Sequence, residues 1–344
     1  MTRSSDGQRL DASVKTIGIF TYGFFDRWPR WANLFLDSCR YNPTVDFFLL
    51  TSCSPPRPRL PSNVKVVELD LPQFQALASE RLGIAVNFAQ PFKVIDFKPA
   101  LGEIFESDVK DYDFWGYCDV DLVFGDIRTF LSDELLMEYD IVCTRVEFIT
   151  GHFTLFRNVE ELRRLYARSR DYQKVFGSAE IFNFDECGWG LHSKLLKGSS
   201  FAEVASEGKV DSLMHVIART PDLRVHLKTI CDEHLWGRAK HFVRKLRWEK
   251  GKLFDVAGNT DLMYYHFHDL KREPGFYVPN WQKAPEAFMI TRRGAFWIGE
   301  QRLAERVATS VQRRISSYGK GTWAIYLFMR WKLRRLFRAL RQGK

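Results

Sequence analysis

Short apolar runs alternate with amphipathic segments over the first 160 residues of the chain. Uninterrupted apolar runs of this length are typical of strands buried on both faces of a parallel sheet, and the segments between them have helical periodicity. We predict a helix that begins near Pro99. The other predicted elements are strands at 15–23, 45–51, 64–69, 139–144 and 151–157 and helices at 30–41, 74–82 and 160–172. This alternation predicts an α/β fold with a mostly parallel sheet flanked by helices.

The strand and helix pattern weakens in the second half of the chain, where glycine and aromatic residues become dense. Strand-like pieces return later, including one at 262–268. We therefore expect one domain over 15–300. Its first half, 15–160, has a nucleotide-type α/β pattern, and its second half, 161–300, is expected to complete a cleft.

The net charge of +9 is concentrated at one end of the chain. Residues 321–344 contain seven Lys and Arg and no acid, with apolar residues at helical spacing. We predict a disordered lead at 1–14 and a basic amphipathic helical tail at 301–344. The tail favours binding to an anionic membrane surface, although docking on its own domain or on a second subunit fits the same pattern. Charge confined to one segment does not favour nucleic acid as a partner.

The six cysteines are scattered and form no CxxC pair, so we expect reduced thiols. Cys39, Cys118 and Cys143 lie in apolar runs and are predicted to be buried. The chain has no secretory signal pattern and no run of the ~20 apolar residues that span a membrane. We expect a cytoplasmic protein that the tail can bring to the inner face of the cell membrane.

Two aspartates, Asp119 and Asp121, follow an apolar run with one residue between them. In an extended strand this spacing places both carboxylates on one face, where a divalent cation would neutralise them. Open α/β sheets also bind ligands at the carboxyl ends of their strands. The DxD spacing arises by chance roughly once in a chain of this length, so capping of a turn is equally compatible with it. The nearby pair Asp111 and Asp113 lies in a polar turn and is expected to be solvated.

The chain resembles GT-A-type glycosyltransferases, and among them a poorly characterised bacterial family, over roughly residues 15–290. The resemblance depends on several motifs in a fixed order. They are Trp28-Pro29, LFLDSC at 34–39, Asn42-Pro43, DFKPALG at 96–102, WGYCDVDLVFGD at 115–126 and GHFTLFRN at 151–158. The resemblance implies a GT-A-like, Rossmann-like fold.

The same resemblance implies roles for residues near the first strand and the DxD. Thr21 and Tyr22 become candidates for contact with the nucleotide base of a donor. Asp119 and Asp121 become the pair that binds the donor diphosphate and Mn²⁺ or Mg²⁺, with the firmer metal contact from Asp121.

Several retaining GT-A families carry a late HFxGxxKPW motif, whose His binds metal and whose Lys contacts the diphosphate. This chain has HFHDLKR at 266–272. His266 aligns with the metal ligand, and Lys271 and Arg272 become donor-binding candidates. Asp269 replaces the motif's glycine and the Pro-Trp is missing, so retaining and inverting outcomes both stay open. Surface exposure of His266 and His268 is the alternative.

The segment NFDECGW at 183–189 places two acids in an aromatic and glycine-rich setting. An inverting transferase needs a carboxylate base with a pKa raised by burial, so Asp185 and Glu186 are catalytic candidates. Trp189 could stack on an acceptor sugar. A loop with solvated acids explains the segment equally well.

Three further residues are candidates for ligand contact. Gly151 would let the backbone approach an acceptor, and His152 could hydrogen-bond a sugar hydroxyl, although a satisfied half-buried histidine is the simpler interpretation. Lys98 could neutralise a donor phosphate, but a surface lysine is the commoner case.

Together these features predict a metal-dependent glycosyltransferase that moves a sugar from a nucleotide-sugar donor to a glycan or lipid-linked acceptor in surface polysaccharide synthesis. A UDP-sugar is the favoured donor. One alternative is a haloacid-dehalogenase-like phosphatase, because residues 119–123 also fit DxDx(T/V) with Asp119 as nucleophile. That motif normally follows the first strand of its sheet. The other alternative is a non-enzymatic protein that binds membrane surfaces through its tail.

Overall fold

The computed structural model describes residues 14–56, 59–228, 232–233, 245–256, 260–272, 276–281 and 284–298. The predicted lead, apart from Val14, and the predicted tail at 301–344 lie outside these residues. Within the described residues, no helix is long and apolar enough to cross a membrane.

The described residues form strands and α-helices that we number in chain order. The strands are β1 Ile17–Gly23, β2 Val45–Thr51, β3 Val64–Glu68, β4 Phe114–Cys118, β5 Leu122–Phe124, β6 Ile141–Cys143, β7 Phe153–Arg157, β8 Val225–Leu227, β9 Asp232–Glu233, β10 Leu246–Glu249, β11 Lys252–Asp255, β12 Thr260–Leu262, β13 Tyr264–His266, β14 Ala287–Thr291 and β15 Gly294–Phe296. The helices are α1 Asn33–Cys39, α2 Leu71–Leu82, α3 Leu101–Ile104, α4 Glu106–Val109, α5 Ile127–Phe130, α6 Asp133–Glu138, α7 Glu160–Arg163, α8 Tyr172–Gly177, α9 His192–Leu195, α10 Phe201–Val204 and α11 Leu213–Ala218.

The central sheet has seven strands in the order β3-β2-β1-β4-β7-β6-β8. Strands β1 to β4 pair in parallel, β7 runs antiparallel to both of its neighbours, and β8 is parallel to β6. The predicted fold class, a mostly parallel α/β sheet flanked by helices, is confirmed.

Both faces of the sheet are buried, because successive side chains of a strand point to opposite faces. In β4, Trp115 and Tyr117 pack into the core that α2 and α3 cover, while Phe114 and Cys118 pack into the core that α1 covers. The predicted burial of Cys118, as of the free thiols Cys39 and Cys143, is confirmed. The continuous apolar runs therefore reflect strands covered on two sides.

A small sheet in the order β5-β13-β9 attaches the second half of the chain to the end of β4. Strand β13 pairs antiparallel with β5, so that His266 lies opposite Leu122 and Tyr264 opposite Phe124. A third, five-stranded antiparallel sheet, β12-β11-β10-β14-β15, packs beyond it. The predicted single strand at 262–268 is thus two strands that join different sheets.

Two predicted helices have a different form in the structure. The segment around Pro99 is a 3-10 helix, Pro91–Ala100, and α3 begins only after it. Proline has no N–H, and its ring would clash with the carbonyl of residue 95 in an α-helix, so the tighter winding is expected. The predicted helix at 160–172 is interrupted after α7 by the 3-10 segment Leu165–Arg168.

Candidate functional site

Asp119 and Asp121 lie in the turn that joins β4 to β5, at the carboxyl end of a central parallel strand. The expectation of one continuous extended strand through both aspartates is wrong. The backbone N–H of Asp119 donates to His152 O at 3.1 Å, and Asp121 O accepts from Phe267 N at 3.2 Å. The turn is therefore tied to the segment before β7 on one side and to the segment after β13 on the other.

The earlier pair, Asp111 and Asp113, has a different environment. Asp111 is exposed, as expected. Asp113 is not simply solvated, because it accepts from Lys15 Nζ at 2.9 Å and from Thr16 N at 2.8 Å. These bonds connect the start of β1 to the start of β4, so Asp113 has a structural role.

Asp121 is nearly fully buried and is surrounded by nitrogen groups of the second half of the chain. Its Oδ1 lies 3.3 Å from His266 Nε2, its Oδ2 lies 3.5 Å from His268 Nδ1, and Lys271 Nζ forms an ion pair with the same Oδ2. Burial alone would raise the pKa of Asp121, but the charges of Lys271 and His266 outweigh it and hold the pKa well below its usual value. Asp121 is therefore ionised at neutral pH.

Asp119 is more exposed and belongs to a second group around Lys98. Lys98 Nζ lies 2.6 Å from Asp119 Oδ1 and 3.6 Å from Asp185 Oδ2, and it donates to Gly151 O at 2.8 Å. Only 2% of the Lys98 side chain is exposed, so the surface-lysine interpretation is wrong. Burial by itself would lower the pKa of Lys98, but the neighbouring carboxylates outweigh burial and raise it. Lys98 is a buried cation between two acids.

The acids predicted as base candidates have opposite electrostatic environments. Burial raises the pKa of Asp185 well above its usual value, despite the nearby charge of Lys98. Burial would also raise the pKa of Glu186, but the hydrogen bond and charge of His192, at 2.5 Å, outweigh it and lower that pKa to about 2. Both acids are partly or fully buried, so the solvated-loop interpretation is wrong.

Gly151, two residues before β7, contacts the loop that carries Asp185 and Glu186. Its N–H donates to Glu186 Oε1 at 2.7 Å. A Cβ on residue 151 would lie 2.2 Å from Asp185 Oδ2, a distance that no real Cβ contact tolerates. Glycine here lets a carboxylate pack directly against the backbone.

A cleft of about 640 Å³, a volume that includes space open to solvent, is lined by several of these residues. Its lining includes Lys98, Asp119, Asp185, His266 and His268. A cleft of this size with several convergent polar groups is typical of small-molecule sites.

The remaining predicted site residues occupy different places. Gly151 and His152 line the cleft, and His152 is buried with its ring 4.9 Å from that of His266.

The ring centroid of Tyr22 lies 5.6 Å from Lys98 Nζ, whereas Thr21 is fully buried in β1. Trp189 donates its indole N–H to Ile181 O at 2.7 Å. Arg272 follows Lys271 in a 3-10 turn.

Sequence reasoning missed three polar residues of this site. His268 lies two residues after His266, and that alternation was a usable signal. Asn183 lines the cleft with a left-handed backbone, φ 51°, which no periodicity predicts. His192 is recognisable only from its contact with Glu186.

The side chains around Asp121 have the composition of a divalent cation site. Asp121, His266 and His268 each offer a ligand atom, and these atoms lie within 4.8 Å of one another. One carboxylate and two imidazoles suit Mn²⁺ and other first-row divalent ions. Asp121, His266 and His268 therefore have the ligand atoms and the spacing that fit a metal ion. In this structure the carboxylate of Asp121 pairs with the ammonium of Lys271.

Comparison with solved structures finds several sugar-transferring enzymes at low similarity. The glycosyltransferase GlyE of Streptococcus pneumoniae TIGR4 is 14% identical with a TM-score of 0.30, over 62% of this chain and 45% of that chain. The galactosyltransferase LgtC is 12% identical with a TM-score of 0.28, over 48% and 66%. Mouse xyloside xylosyltransferase 1 is 11% identical with a TM-score of 0.39, over 77% and 100%. The chain thus spans less than half of the GlyE chain and about two thirds of the LgtC chain.

Comparison with curated proteins finds no match. A family profile matches residues 20–296, which include every element of the site described above. The chain therefore belongs to DUF6625, a family of unknown function.

Proposed function

We propose that the protein is a metal-dependent glycosyltransferase that uses a nucleotide-sugar donor, with a UDP-sugar as the first candidate. The observation that supports this most directly is the convergence of Asp121, His266 and His268 at the carboxyl end of β4. Ligands of open α/β sheets bind at this edge. The DxD and late-histidine motifs of the GT-A resemblance coincide with the same residues.

In this proposal Asp121, His266 and His268 hold Mn²⁺ or Mg²⁺, and Asp119 contributes to the donor and the metal. When bound, the metal neutralises charge that develops on the leaving diphosphate. Lys271 and Arg272, which end the 3-10 helix Leu270–Arg272 shortly after His268, are the proposed phosphate contacts. Tyr22 and Thr21, neighbours on β1, are the proposed contacts for the nucleotide.

Asp185 is the proposed general base. Its raised pKa suits a group that takes a proton from an acceptor hydroxyl near neutral pH. Glu186 is held ionised by His192 and fixes the Gly151 backbone, so it positions the loop rather than moving a proton. His152 and Trp189 are the proposed acceptor contacts.

The proposed acceptor is a glycan or a lipid-linked glycan of surface polysaccharide synthesis. A cytoplasmic protein that approaches the membrane through residues 321–344 would meet such an acceptor. This part of the proposal depends on the composition of the tail, which lies beyond the described residues.

The phosphatase alternative is not favoured. In haloacid-dehalogenase-like enzymes the nucleophilic aspartate follows the first strand of the sheet. Here Asp119 follows β4, the fourth strand along the chain, and pairs with Lys98.

Calorimetric titration with the nucleoside diphosphates UDP, GDP and ADP, each with and without Mn²⁺, tests the proposal. We expect at least one nucleotide to bind only with the metal, and Asp119→Ala/Asp121→Ala to abolish that binding. Asp111→Ala removes an exposed aspartate from the same segment and serves as the matched control. Wild-type-like, metal-dependent binding by the double variant would falsify the proposal.

A further inference from the structure

Lys271 occupies a defined position between an aromatic ring and the buried carboxylate of the site. Its ammonium forms an ion pair with Asp121 Oδ2 and lies 4.9 Å from the ring centroid of Trp31. The Lys271 side chain is 20% exposed, whereas that of Asp121 is 3% exposed. An ammonium held between a carboxylate and an aromatic face is stabilised by both.

The Asp121 oxygen that Lys271 contacts belongs to the group of ligand atoms described above. His268 Nδ1 lies 3.5 Å from the same Oδ2. A divalent cation within this group would stand only a few ångströms from the ammonium, where two positive charges repel strongly. This repulsion opposes simultaneous contact of the ammonium and a metal ion with Asp121.

We propose that Lys271 is a built-in counter-ion that occupies Asp121 in the metal-free protein and must leave it before a divalent cation binds. This inference rests on the proposed function. Without a positive partner, a buried carboxylate is strongly destabilising. Lys271 thus keeps the metal-free fold stable and lowers the metal affinity of the site. Trp31 remains as a contact for the displaced ammonium.

Lys271→Met separates the two effects of the counter-ion. In EDTA we expect the variant to melt at a lower temperature than the wild type, because Asp121 loses the charge of Lys271 and keeps only the two histidines beside it. In calorimetric titration with Mn²⁺ alone we expect a dissociation constant roughly tenfold lower than that of the wild type. Removal of a metal ligand would have the opposite effect on Mn²⁺ affinity.

Two matched variants distinguish direct competition from a general effect of charge. Lys271→Arg keeps a cation beside Asp121 and should retain the weak Mn²⁺ affinity of the wild type. Arg272→Gln removes one positive charge a single residue further along and should change Mn²⁺ affinity much less than Lys271→Met.

The outcomes separate this inference from the proposed function. Equal or weaker Mn²⁺ binding by Lys271→Met, or equal tightening by Arg272→Gln, overturns the counter-ion role while the metal-dependent enzyme still stands. Failure of the wild type and all variants to bind Mn²⁺ or Mg²⁺ overturns both.

Discussion

His266 Nε2 lies 3.3 Å from Asp121 Oδ1, although the two residues come from opposite halves of the chain. The contact follows from the register of β5 and β13, in which His266 is opposite Leu122, the residue after Asp121. The backbone hydrogen bond from Phe267 N–H to Asp121 O continues this register one residue beyond the pair of His266 and Leu122. A long-range strand pairing therefore builds the candidate metal site.

His268→Ala tests whether the second histidine belongs to this site. Loss of a group that only supports a metal ligand costs roughly 10–100-fold in metal affinity. Loss of a ligand itself should weaken Mn²⁺ binding by at least that much. Calorimetric titration measures the change. His226→Ala, on β8 beside Tyr139, is the control and should leave Mn²⁺ affinity unchanged. Unchanged Mn²⁺ binding by His268→Ala would remove His268 from the ligand set.

Gly151→Ala tests the close packing of Asp185 against the backbone. The new Cβ would lie 2.2 Å from Asp185 Oδ2, so the carboxylate must move. We expect sugar transfer, or slow hydrolysis of the donor, to fall roughly 100-fold, because small misplacements of a catalytic group cost about that much. Mn²⁺ affinity should stay the same.

Gly177→Ala is the matched control for this substitution. Its Cβ would meet Ala85 O at 3.6 Å, an ordinary contact. If Gly151→Ala turned over donor at the wild-type rate, Asp185 would not be the base.

Lys93→Met tests the buried ion pair that supports the Asp185 loop. Lys93 Nζ donates to Asp96, Val175 O and Glu180 O, and Asp96 accepts from the N–H groups of Phe182 and Phe184. Both charged side chains are fully buried. Removing one partner should lower the free energy of unfolding by ~3–5 kcal/mol, measured by urea denaturation.

Adding Asp96→Asn to Lys93→Met should restore part of this loss, because the uncompensated buried charge disappears. Lys194→Met breaks an exposed pair with Glu207 and should cost less than about 1 kcal/mol. A Lys93→Met variant as stable as Lys194→Met would contradict the assigned role of the buried pair.

Asp140 makes part of the stability dependent on pH. Hydrogen bonds from Arg224 and Arg157 lower the pKa of Asp140 in the folded protein to about 2, from an ordinary 3.8. A lowered folded pKa means that this stabilisation is complete above about pH 4 and disappears as the pH falls towards 2.

Asp140→Asn should therefore lower the free energy of unfolding by about 1 kcal/mol at pH 7, after allowance for solvent screening. The difference from the wild type should shrink towards zero by pH 2. Urea denaturation across this range measures it, with exposed Asp222→Asn as the control. A difference that stayed constant with pH would mean that the ion pairs of Asp140 do not contribute.

Local pattern was sufficient to predict the parallel strands of the central sheet and one part of the site. The apolar runs of β1, β2 and β4 are long enough to be buried on both faces, so their sequence alone indicates parallel strands. The placement of Asp119 and Asp121 after such a run, with a late histidine segment, predicted which residues the structure brings together.

The environment of single side chains could not be predicted in the same way. Lys98 has the sequence context of a surface lysine, yet it is buried between Asp119 and Asp185. Glu186 and Asp185 are adjacent, yet His192 lowers the pKa of Glu186 while burial raises that of Asp185. These differences depend on which side chains meet in the folded chain, and periodicity along the sequence does not reveal that.

The sequence by itself therefore determined the α/β class, because hydrophobic periodicity is a local property of the chain. It named Asp119, Asp121 and His266 as candidates through motif spacing and family resemblance. Only the tertiary structure added His268, assigned Lys98 and Lys271 to separate aspartates, and distinguished Asp185 from Glu186. The physical reason is that burial and charge pairing depend on which segments meet in space, and for Asp121 the pairing of β5 with β13 decides which residues surround it.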